Sequence, residues 1–575
     1  MRASVLALLL VFACGDDGAN NLPDAPGAPT LRVEPADVTV TIVDGQAVAQ
    51  AYTATLIGID GSMRDVTAET AFSIAPNYGA FTGSTVSVSG QGAGPTPVSA
   101  AYEGVGGEAT LTVYVRSRVV DPGAPANAVD LFGNATEDPT RAPSVVYPSD
   151  TILVPPNLGE FDVHWRNNQA PNNLFEVGMA NEYVDIRLYT AGTPASGGFW
   201  TVYSPSTWYP IASTRAQLTL TVAGLDTANP ATKGTAAAQK VDVTNEDTRG
   251  GIYYWSTTTQ SVWRYDVGRP DVPPSAFFDQ APSGCVGCHT LSRDGTKILM
   301  TLDSGNGRGA IFDVGSKQQL FPTPTASVGW NFATFNSDAT KLVNVEHDGT
   351  LVLRDLAGTA LGAALPTANA GFGSTHPELS PDDTRLVNAE YGSASATYFA
   401  YDGAIVIRSF DSSTNTFGTP TVLVPNDPNN QISNWYPSFS PDGQWVIFTR
   451  TSSGSYDQES AQTWVIKADG TQPPVQLAAA NLPAGNLTNS WARWVPFGQS
   501  FGPSNEPMFY LTFSTKREFG VRIPTGGLPQ IWMVPFFPAR AAQGMDPSAP
   551  AFRVPFQDVA TANHIAQWTQ SIVIQ

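Results

Sequence analysis

Cys285-Val286-Gly287-Cys288-His289 is the stretch of this sequence with the most chemical content. Two thiols at this spacing can each add to a vinyl group of haem while the adjoining imidazole takes the iron, which is the pattern of a c-type haem attachment site. The chain has 3 cysteines and 5 histidines in 575 residues, so the run does not arise readily by chance. Cys285 and Cys288 are read as the thioether sites of one covalent haem c, and His289 as its proximal ligand. The plainer alternative is a disulfide or redox pair beside an incidental histidine.

Iron held by His289 needs a sixth ligand or an open position, and His376, His564, His347, His164 and Met300 are the candidates. Met300 lies in the apolar run Ile298-Leu299-Met300 and reads as core, His347 sits in an Asp-Gly hairpin, and His164 alternates with Val163 and Trp165 as a strand residue. His376 is preferred on register, as set out next, with His564 second. The alternative for His376 is that it only lines a channel mouth.

No helical cytochrome domain fits around the motif. Pro270 to Ala281 precedes it, and the turn Leu291-Ser292-Arg293-Asp294-Gly295-Thr296-Lys297 follows after one residue. Similar turns recur at Phe335-Asn336-Ser337-Asp338, Leu379-Ser380-Pro381-Asp382 and Phe439-Ser440-Pro441-Asp442-Gly443, their Ser or Asn anchors spaced 44, 44 and 60 residues apart. A degenerate copy is Arg493-Trp494-Val495-Pro496. An apolar residue ends one strand, Asp and Gly accept the turn dihedrals, and an apolar run begins the next strand. A period of about 40 to 50 residues is one four-stranded propeller blade. These turns resemble those of the TolB-type propeller family over roughly the last half of the chain. The resemblance implies a propeller of about six blades over residues 271–575, with Asn563 to Trp568 as a closing strand. Cys288 and His376 each lie four residues before their anchors, Ser292 and Ser380, so both belong to one ring of such a propeller, as does Tyr436.

The rest of the chain reads as scaffold, and the fold class is all-β. Residues 31–115 carry short alternating runs such as Val38 to Ile42 and Ala109 to Val115, and resemble a bacterial immunoglobulin-like sandwich. Residues 116–143 read as a linker. Residues 144–270 form a second set of strands, Gly251 to Ser256 among them, similar to a fibronectin type III sandwich. Gly498-Gln499-Ser500-Phe501-Gly502 has the letters of a hydrolase nucleophile elbow, but Pro503, Asn505, Pro507 and a strand-like run follow where a helix is required. Ser500 is not assigned to catalysis, and the chain reads as an electron carrier or binding protein rather than an enzyme.

Residues 1–13 read as an export signal, and Val11-Phe12-Ala13-Cys14 resembles a lipobox, which implies lipid on Cys14 and an envelope protein, sorted to the outer membrane. Residues 14–30, with Pro23, Pro26 and Pro29, read as its tether. The 50 acidic and 30 basic residues give a charge of -20, which repels a phosphate backbone and argues against nucleic acid as a partner. Membrane contact through the lipid and an envelope redox partner are the partners expected. The competing reading is a non-enzymatic scaffold for an envelope protein or glycan.

Overall fold

A computed structural model describes residues 28–269, 271–278, 286–303, 305–322, 327–485 and 487–570. Its backbone divides into two compact units. The first takes in the described residues up to Val40 with Ala47–Val88 and Pro95–Thr112. It is built from short antiparallel pairings, Thr30–Glu34 with Thr53–Ile57 and Val48–Ala51 with Thr85–Val88. Burial alternates along its strands, as the period-two pattern requires: Thr96, Val98, Ala100 and Tyr102 are buried and the residues between them are not.

In the second unit, the residues up to Val243 form two sheets. One runs Thr136–Glu137, Thr232–Thr235, Leu218–Leu225, Leu174–Ala180, Val184–Thr190; the other holds Ser144–Tyr147, Phe161–Arg166, Gly198–Tyr203 and Thr193–Ala195. Trp165 fastens them, its ring 4.9 Å from that of Phe175. The stretch 116–143, expected to be a linker, is folded. Its first residues continue a strand to Val120 that pairs in parallel with Val184 to Tyr189, and the helix Ala128–Asn134 buries Phe132 against Tyr189. Pro and Asn there mark turns between short elements rather than a tether.

The remaining residues make a β-propeller. Among the described residues, six sheets follow one another, with inner strands Asn563–Trp568, Val286–Leu291, Phe332–Phe335, Gly373–Leu379, Ser433–Phe439 and Ser490–Phe501. Each inner strand adjoins the next, and Ser490–Phe501 adjoins Asn563–Trp568, so the cycle closes. Closure is by the C-terminal strand, which pairs with Gly251–Ser256. That pairing corrects the domain boundary: Gly251–Ser256 and Ser261–Asp266 belong to the first blade, not to the preceding sandwich. An aromatic strand looks the same in either setting, and its partner lies at the far end of the chain.

The anchor side chains explain the repeated turns. The Ser292, Ser380 and Ser440 hydroxyls each accept from the backbone N–H five residues on, at 2.9 Å. Asn336 does the same with its amide oxygen at 2.8 Å. Three residues after each anchor the backbone is left-handed, at Gly295 (φ 74), Ala339 (φ 53), Asp383 (φ 56) and Gly443 (φ 67).

Candidate functional site

The propeller axis is where the sequence motif and the repeat register meet. The inner strands of all blades but the third carry a bulge, falling between Gly287 and Thr290, Thr375 and Glu378, Trp435 and Ser438, Ser490 and Arg493, and opposite Tyr253 to Trp255 on the closing strand. In four of these the first bulged residue is left-handed and is not glycine: His376 (φ 50), Tyr436 (φ 55), Trp491 (φ 55) and Ile565 (φ 51). Such backbone costs about 1–2 kcal/mol per residue, and here it re-aims a side chain out of the strand.

The rings so aimed meet. His376 lies with its ring centroid 4.5 Å from Phe332, 4.3 Å from Tyr436 and 5.1 Å from Trp491, and Tyr436 lies 4.3 Å from Trp491. These four residues come from the third to sixth blades, so their contact puts them on the axis as a plug. Cys288 packs against the same cluster from the second blade. The shared register of Cys288, His376 and Tyr436 was legible; Phe332, four residues before Asn336, and Trp491, four before Val495 of the degenerate copy, obey the same rule.

His376 is 2 % exposed, and neither ring nitrogen has a hydrogen-bond partner. Burial holds its pKa well below the usual histidine value, so the ring is neutral and both polar edges face rings. His289 does not join the plug. Its Nε2 lies 3.2 Å from the Tyr253 carbonyl oxygen, to which it donates as an N–H, leaving the buried Nδ1 without a partner. Burial lowers its pKa to about 4.

At the end of the channel where the inner strands begin, a cavity of about 570 Å³ opens between Trp255, Tyr436, Tyr456, Trp491, Lys516 and His564. Gly287 borders this mouth, since a Cβ there would lie 4.0 Å from the Trp255 ring. His564 faces Trp255 at 5.9 Å, and burial lowers its pKa to about 4.

The other candidates have structural roles. Met300 is core in Lys297–Leu302, His347 meets the Gly307 carbonyl at 3.0 Å, and His164 is buried against Tyr147 and Phe519. Ser500 donates to Glu246 Oε1 at 2.7 Å and lies in a strand that turns into a second strand, Glu506–Thr515, as the proline-rich context required. Cys285 and Cys14 lie outside the described residues. Among the described residues no group of three or more His, Cys, Asp or Glu side chains could hold a metal ion.

Tested against haem, the donor set divides. Cys288 stands on the axis, and His376 offers buried nitrogens with no other partner. His289 fits less well: its Nε2, the usual iron donor, is turned to Tyr253.

No family model matches the chain, and no curated protein does. Among solved structures, the chain is similar to a putative TolB from Agrobacterium tumefaciens, at 15% identity over 54% of this chain and 89% of that one, with a TM-score of 0.31. It is also similar to a chain of a nidogen/laminin complex, at 8% identity over 55% and 97%, with a TM-score of 0.33.

Proposed function

We propose that this chain is an exported, lipid-anchored propeller protein that carries one haem c on Cys285 and Cys288 and passes electrons at the cell envelope. The observation that carries the reading is the position of Cys288 on the same axial ring as His376, an imidazole with two buried, unpartnered nitrogens. A bound haem would supply one-electron oxidation and reduction at its iron. The chain would hold it by the two thiols and take the iron on His376. Phe332, Tyr436 and Trp491 keep water from that imidazole, and burial keeps it neutral, with a lone pair to give. His289 becomes a ligand only by leaving the Tyr253 carbonyl. The export and lipid readings rest on residues 1–14. No helix among the described residues is long and apolar enough to cross a membrane.

A second reading is a binding scaffold with Cys285 and Cys288 as a disulfide. The engaged Nε2 of His289 and the 570 Å³ aromatic mouth favour it. A visible spectrum of the protein exported in a host with cytochrome c maturation machinery separates the two. The haem reading expects a low-spin Soret band that His376→Ala converts to high-spin while the haem stays attached. A colourless protein, or a low-spin spectrum unmoved by His376→Ala, contradicts the assignment in whole or at the sixth ligand.

A further inference from the structure

Below the aromatic plug the channel changes character. The residues two before each anchor position are Thr290, Thr334, Glu378, Ser438, Arg493 and Gln567, one from every blade, and all six line a cavity of about 100 Å³ at the end where the inner strands finish. Their shared lining of one cavity shows that this ring, two positions beyond the plug, also points to the axis. The channel is therefore apolar at one level and polar at the next.

The polar groups of this cavity are unevenly partnered. Glu378, with a side chain 19 % exposed, accepts from the Ser438 hydroxyl at 2.9 Å and the Phe439 N–H at 2.8 Å, and its other oxygen lies 3.9 Å from Arg493 Nε. Arg493, 12 % exposed, spends one further donor on the Ala492 carbonyl at 2.9 Å. Arg293, directly after the first anchor, lines the same cavity, and Glu378, Asp383 and Asp382 act on its guanidinium through space, with no side-chain hydrogen bond or ion pair within 4 Å among the described residues. Two guanidinium groups thus line a cavity whose carboxylate, Glu378, accepts from neutral donors, and the Asp382 and Asp383 carboxylates that also act on Arg293 accept from Ser380 and Thr384 and from Ser337. A guanidinium carries five N–H donors in a planar fork that matches carboxylate and phosphate oxygens, and taking it from water without such a partner is costly.

We propose that this end of the channel is a binding site for a small oxyanion, a carboxylate or a phosphate, held between Arg293 and Arg493. The site is independent of haem, lying on the far side of the plug from the mouth. The chain has a net charge of -20, so the site selects by direct contact and not by long-range attraction.

Isothermal titration of the full exported protein with sodium phosphate, and separately with sodium succinate, against sodium chloride at equal ionic strength, tests this. Saturable binding of one or both anions and none of chloride is expected, and which anion binds identifies the chemistry. Arg293→Ala, at the rim, is expected to weaken binding at least tenfold. Glu378→Gln, which removes the competing charge and keeps an acceptor for Ser438, is expected to strengthen it severalfold. The absence of saturable binding by either anion, or binding unchanged in Arg293→Ala, overturns the proposal. Thermal melting of each variant without ligand verifies that it is folded.

Discussion

Lowering the pH from 7.5 to 4.5 is expected to destabilise the haem-free chain steeply, because four of its five histidines, three of them buried and His564 half-buried, are held below their ordinary pKa. His164, His289, His376 and His564 are all shifted down with burial as the leading cause, His289 and His564 to about 4 and His376 well below its ordinary value. Above the unfolded value of about 6.5 both states are neutral and nothing is lost. Between about 6.5 and 4 the unfolded chain takes up protons that the folded chain cannot, so stability falls as pH falls, and below the folded values the loss levels off. For His289, which is 2 % exposed, the full loss is on the order of 3 kcal/mol. The urea midpoint followed across this window reads the effect, and His289→Gln should flatten the slope. A midpoint that stays constant from pH 6.5 to 4.5 would show that these rings are not buried as neutral groups.

Trp435→Ala is expected to cost about 3–5 kcal/mol, at the upper end for a single core truncation. The indole is fully buried, donates from Nε1 to the Thr451 hydroxyl at 3.0 Å, and lies over Gly403, where a Cβ would come within 2.6 Å of the ring. It also stands one residue before Tyr436 and 6.4 Å from His376, so its loss loosens the plug as well as the fifth blade. Guanidinium unfolding measures the cost. Val422→Ala, at a position 36 % exposed, should shift stability by no more than about 0.5 kcal/mol. Equal effects of the two substitutions would contradict the packing described for Trp435.

What was legible in the sequence is what local chemistry determines. The anchor turns could be read because a serine or asparagine oxygen, an aspartate and a left-handed residue make the same short hydrogen-bonded loop wherever they occur. Register from those turns then put Cys288, His376 and Tyr436 on one ring. The 60-residue spacing between Ser380 and Ser440 has a local cause too, an extra hairpin of Ser393–Ala396 and Phe399–Tyr401 within the fourth blade.

The first blade was legible only in its closing strand, Asn563 to Trp568. It lacks an anchor turn, and its inner strand comes from the opposite end of the chain. Nor could the orientation of His289 be read, because a bulge between Gly287 and Thr290 breaks the alternation that would assign its side. The polar ring of Thr334, Glu378, Ser438 and Arg493 was hidden for a different reason. Its residue types vary from blade to blade, and only the closed cycle of strands shows that they converge.

The intact mass of the exported, mature protein under denaturing, non-reducing conditions, followed by alkylation after reduction, bears most directly on the proposed function. A haem c protein is predicted to carry the added mass of one haem through denaturation, with Cys285 and Cys288 both blocked to alkylation. A chain of unmodified polypeptide mass from a host with active haem attachment, in which both cysteines alkylate once reduced, would contradict the account and leave a disulfide-bearing binding propeller.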